Sequence, residues 1–65
     1  MSMTTGEALK LVNEFGADYH IESFMDTIEV LDIHHELGLL SPRLSEAYLV
    51  TIGELESTSK MALSA

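Results

Sequence analysis

Apolar residues recur along the chain at helical spacing, in three blocks separated by turn residues. Ala8, Leu11, Val12 and Phe15 fall at i, i+3, i+4 and i+7, one face of an α-helix. Ahead of them, Thr4-Thr5-Gly6-Glu7 has the S/T-x-x-E spacing of a capping box, in which hydroxyl and carboxylate satisfy exposed amides of the first turn. Gly16 stands where a left-handed C′ residue would end a helix. The pattern predicts a first helix over residues 5–15. Asp18 is a candidate N-cap for the next block, residues 19–37 contain no Gly or Pro, and Gly38 is again placed as a stop. A second helix is therefore expected over 19–37.

Ser41-Pro42 repeats the start signal, with Ser at N-cap and Pro at N1, where its missing N–H costs nothing. A third helix is expected over 42–60, fraying towards Ala65. Leu44, Ala47, Tyr48, Thr51, Ile52, Leu55 and Ala62 line one side of it, and Glu46, Glu54, Glu56 and Lys60 lie off that line. Leu49, Val50, Met61 and Leu63 widen the apolar surface. Gly53, inside this helix, costs about 1 kcal/mol relative to Ala, and its small size would allow close approach of another helix. The expected fold is all-α, a small helical bundle in one domain over residues 1–65. Within it, an antiparallel helical hairpin is preceded by a short N-terminal helix.

The second helix carries two apolar stripes. Ile21, Phe24, Met25, Ile28 and Leu31 form one; Tyr19, Val30, Ile33 and Leu37 form another on the opposite side. Glu22, Asp26, Glu29 and Glu36 mark one flank between them, and His20, Ser23, Thr27 and His34 the other. A surface helix needs only one stripe. Two imply cover on both sides, by an open arrangement of the other helices or by a second chain. Tyr19, Val30, Ile33 and Leu37, with Glu22, Asp26 and Glu29 beside them, are thus the candidate partner-binding residues.

Composition narrows the function classes. A chain of 65 residues buries only about 60% of its unfolded surface and is marginal alone. It has no cysteine, so disulfides, thiolate metal sites and thiol nucleophiles are excluded. Eleven acids against three bases (Lys10, Arg43 and Lys60) leave a net charge of −8. Three scattered cations cannot make the phosphate footprint that nucleic-acid binding requires, and an anionic membrane is disfavoured for the same reason. The polar start Met1 to Glu7 and the lack of a long apolar run lead to the expectation of a cytoplasmic protein without targeting signal or membrane span.

Candidate chemistry is sparse. Asp32, His35 and Glu36, at i, i+3 and i+4, could converge on one helix face as in di-iron carboxylate bundles, with Glu54 or Glu56 as further donors. Imidazoles near a helix C-terminus also have a plain role, bonding free carbonyls at the negative end of the dipole. No nucleophile elbow, phosphate loop or glycine fingerprint is present, so no catalytic residue, metal or cofactor is expected. A helix-turn-helix through Phe15-Gly16-Ala17-Asp18 would direct Glu22, Asp26 and Glu29 at phosphates, which is repulsive. The acidic row Glu22, Asp26, Glu29 and Glu36 could instead imitate phosphates and make the chain a DNA-mimic inhibitor of a nucleic-acid enzyme.

Lys10-Leu11-Val12-Asn13-Glu14-Phe15-Gly16, followed by Tyr19 and Glu22, resembles a segment of the T4-type phage late-transcription coactivators and covers about a fifth of the chain. That resemblance implies a small, helical, acidic protein that binds RNA polymerase and a sigma-like factor without reading DNA. It also implies that Leu11, Phe15 and Tyr19 serve the fold. The family's hydrophobic C-terminal tail has no match in Ser57 to Ala65.

Taken together, the residues predict a small acidic, non-enzymatic adaptor or regulator that binds a partner protein through a helix face. The alternatives are a self-assembling helical module, the DNA mimic and the phage-like coactivator.

Overall fold

The computed structural model describes residues 3–64, with side chains over residues 3–58. It contains three helices, α1 (Thr5–Asp18), α2 (Phe24–Glu36) and α3 (Pro42–Ser64), and no strand among the described residues. The all-α bundle expected from the periodicity is observed. Lys60, Met61, Ala62 and Leu63 lie outside the residues whose side chains are described.

Helix α1 starts where the capping pattern placed it. Thr4 is extended (φ −72, ψ 157), and its Oγ1 accepts the Glu7 N–H at 3.2 Å. Ala8, Val12 and Phe15 are buried and Leu11 is half-buried, so the i, i+3, i+4, i+7 face is the packed face. Gly16, however, does not end the helix. A Cβ there would stand 2.7 Å from Thr27 Oγ1, so the missing side chain is what lets α1 and α2 approach. The helix runs on to Asp18 and closes as a Schellman turn, with Ile21 N–H donating to Gly16 O at 2.8 Å and His20 N–H to Ala17 O at 3.1 Å. The left-handed position of that turn is His20, at φ 57.

Asp18 accordingly is no N-cap, and residues 19–23 are a connection rather than the first turn of α2. Ser23 caps α2 instead (φ −88, ψ 134), its Oγ accepting the Asp26 N–H at 3.4 Å. The far end follows expectation. Gly38 has φ 72, its N–H donates to His35 O at 3.1 Å, and Leu39 N–H donates to His34 O at 2.9 Å. Ser41 Oγ accepts the Leu44 N–H at 3.3 Å, with Pro42 opening α3.

The core is Val12, Phe15, Ile28, Leu31 and Tyr48, one cluster fed by all three helices, with Phe24, Val30, Leu40, Leu44 and Ile52 packed round it. The most extensive pairing is α1 with α3, and these two run antiparallel. Thr5 Oγ1, at the start of α1, bonds Glu54 Oε1 at 3.1 Å, while Phe15 and Asp18 near its end share a groove with Ser41 and Leu44 at the start of α3. Gly53 has nothing near its Cβ position, so it marks no close helix approach.

Candidate protein-docking face

Asp26, Glu29 and Ile33 occur at i, i+3 and i+7 of α2, and Leu37, its C-cap, continues the spacing at i+11, so they share the outer side of the helix. The inner side is Thr27, Ile28 and Leu31, all buried. The two-sided character of α2 is therefore real, but one side is left uncovered by this chain. Ile33 is 57% exposed and Leu37 66%. Leu39, just beyond the Schellman glycine, is also 66% exposed. Sequence periodicity had no means of marking Leu39 as exposed, because it follows the helix.

Three of the candidate residues sit differently from expectation. Val30 is half-buried against the core cluster, so it anchors α2 inwards and is not the centre of a free strip. Tyr19 is the C-cap of α1, not a residue of α2. It still reaches the α2 region, because its ring stacks on Phe15 at 4.5 Å and meets His34 edge-on at 5.9 Å. Phe15 also meets His34 edge-on, at 5.7 Å. Val30 and Leu37 are the helical neighbours of His34 at i−4 and i+3, and Tyr19 is 56% exposed beside them. Glu22 lies in the connection, so the acidic row on α2 itself shrinks to Asp26, Glu29 and Glu36. Ile33 interrupts that row between Glu29 and Glu36.

Of the third set of polar residues, Asp32 and His35 each make a tie to α3, and Glu36 is exposed. Tyr48 Oη donates to Asp32 Oδ1 at 2.7 Å. The phenol is pushed up from 10.0 to about 12, first by burial and then by the bond to Asp32. Ser45 Oγ and His35 Nδ1 are hydrogen-bonded at 3.0 Å, and the His35 ring leans on Tyr48 at 5.2 Å. Among the described residues no three His, Asp or Glu side chains are grouped to hold a metal ion. The Ser45–His35 pair has the atoms of a nucleophile and a base. Asp32, however, which could orient the imidazole, is turned to Tyr48, and the groove of the molecule opens elsewhere, between α1 and α3. These contacts are interhelical ties; sequence spacing grouped Asp32 and His35 on one helix face but did not indicate Tyr48 and Ser45 as their partners.

No helix among the described residues is long and apolar enough to cross a membrane. No family model, curated protein or solved structure matches the chain at a significant level.

Proposed function

We propose that this chain is a small acidic, non-enzymatic adaptor or regulator that docks the outer side of α2 on a partner protein. The observation that carries the reading is the exposure of Ile33 and Leu37 on the outer side of α2, which Asp26 and Glu29 share. Fully burying such a side chain is worth about 1.5–3 kcal/mol, so these apolar residues outweigh the rim charges. The carboxylates at the rim contribute orientation and association rate more than affinity. With a net charge of −8, the surface that fits is an apolar patch rimmed by Lys and Arg. Charge opposes the self-assembling alternative, and the interruption of the acidic row by Ile33 weakens the phosphate-mimic one. The coactivator resemblance falls on α1 and the turn after it and is compatible with the same helix-face docking.

The test is retention of a partner by the tagged chain from lysate of its host, at low and high salt. A stoichiometric partner held at high salt by wild type and by Glu29→Ala, but lost by Ile33→Asp, is the expected result. Equal retention by Ile33→Asp would overturn the docking face. A nucleic-acid enzyme held only at low salt would shift the reading to mimicry.

A further inference from the structure

A groove of about 430 Å³ lies between the second half of α1 and the start of α3, a volume in the range of ligand sites. Its apolar lining is Leu11 and Leu44, both half-buried, and Phe15, which belongs to the core. Glu14 and Asp18 line the α1 side, both exposed and one helical turn apart, and Arg43 lines the α3 side. Like charges at i and i+4 repel. They also stand at the C-terminal end of α1, where the helix dipole is itself negative and no basic residue offsets it. Two carboxylates and a helix C-terminus thus concentrate negative potential beside an apolar floor, against one guanidinium on the facing side. A cation bound along α1 would remove a repulsion that the free protein carries.

The occupant is not a second copy of this chain. Its three bases are Lys10, Arg43 and Lys60, and no two of them stand one helical turn apart. We propose that the groove docks a short helical segment of a partner protein, bearing Lys or Arg one turn apart beside a Leu- or Met-type side chain. The bases lie along Glu14 and Asp18, the apolar side chain enters between Leu11 and Leu44, and Arg43 keeps the bases off the α3 side. This site is distinct from the outer side of α2.

The test titrates the isotope-labelled full chain with a synthetic amphipathic helix of Leu and Lys, and with its twin carrying Glu for Lys. The Lys peptide should shift the methyl signals of Leu11 and Leu44 saturably, and the Glu twin should not. Glu14→Lys combined with Asp18→Lys should weaken binding at least about tenfold, while Glu22→Lys combined with Glu29→Lys, an equal charge change, should weaken it less than about twofold. Ile33→Asp should leave this binding unchanged, which separates the groove from the α2 face. Equal losses from the two double variants, shifts confined to Ile33 and Leu37, or no saturable binding would each overturn the proposal.

Discussion

Gly16 and Gly53 both lie inside helices, yet their surroundings predict opposite responses to the same substitution. At Gly53 nothing lies near the Cβ position, so Gly53→Ala should stabilise the chain by about 1 kcal/mol through helix propensity alone. At Gly16 the new methyl would press on Thr27 Oγ1 at 2.7 Å. Thr27 is buried and its hydroxyl is held by Ser23 O at 3.0 Å, so it cannot swing aside without losing that bond. Overpacking costs about 1–3 kcal/mol, which exceeds the propensity gain, and Gly16→Ala should destabilise. Urea denaturation of both variants checks the signs. In a Thr27→Ala background the penalty at Gly16 should shrink or reverse, because the obstructing atom is gone. An unchanged penalty there would place the strain elsewhere. The same two residues show what sequence could not settle. A glycine after an apolar turn reads as a stop, and only the position of Thr27, a residue of another helix, makes Gly16 a contact point instead.

Between elements, the ties from α2 to α3 govern the response to alkali. The Tyr48 phenol is raised to about 12 in the folded chain against 10.0 for the free group. Below pH 10 it is protonated in both states, and its bond to Asp32 contributes fully. From pH 10 towards about 12 the unfolded chain gives up the proton first, so stability falls across that window as pH rises. Tyr48→Phe should cost about 1 kcal/mol at neutral pH, the net worth of a hydrogen bond. It should also flatten the alkaline fall. Thermal melts of both proteins at about pH 9 and about pH 11.5 make the comparison, and parallel declines would remove Tyr48 as the source. Element boundaries were legible wherever local chemistry sets them: the Thr4 cap, the left-handed Gly38 and the Ser41-Pro42 start. The start of α2 was not. His20 occupies a left-handed position usually reserved for glycine, and the start signal that is present, Ser23 with Asp26 three residues on, competes with Asp18, an equally good cap type standing earlier in the chain. The helical phase was therefore carried back across the turn, taking Tyr19 and Glu22 with it. Ile33 lies inside α2 and Leu37 caps its end, and spacing alone placed both on one stripe, though it did not place Val30 of that stripe against the core.

At the scale of the molecule, surface and charge pull in different directions. The chain exposes 4743 Å² at a mass of 7.2 kDa, whereas monomer scaling for that mass gives about 4,100 Å². The excess means that a chain of this mass covers less of itself than a typical monomer. Yet each copy carries a net charge of −8, so two copies repel where a basic partner is attracted. Salt separates the two cases. Raising ionic strength from ~0.01 M to ~1 M shortens the screening length from about 30 Å to about 3 Å, weakening steering of a basic partner while relieving repulsion between copies. Sedimentation equilibrium of the isolated chain should give a monomer at low salt. Any association should appear only as salt rises, and Ile33→Asp should abolish it, because the apolar strip on α2 is what remains once charge is screened. A dimer equally stable at low salt would mean that the strip is self-complementary strongly enough to override that repulsion. The homo-oligomeric module would then replace the adaptor.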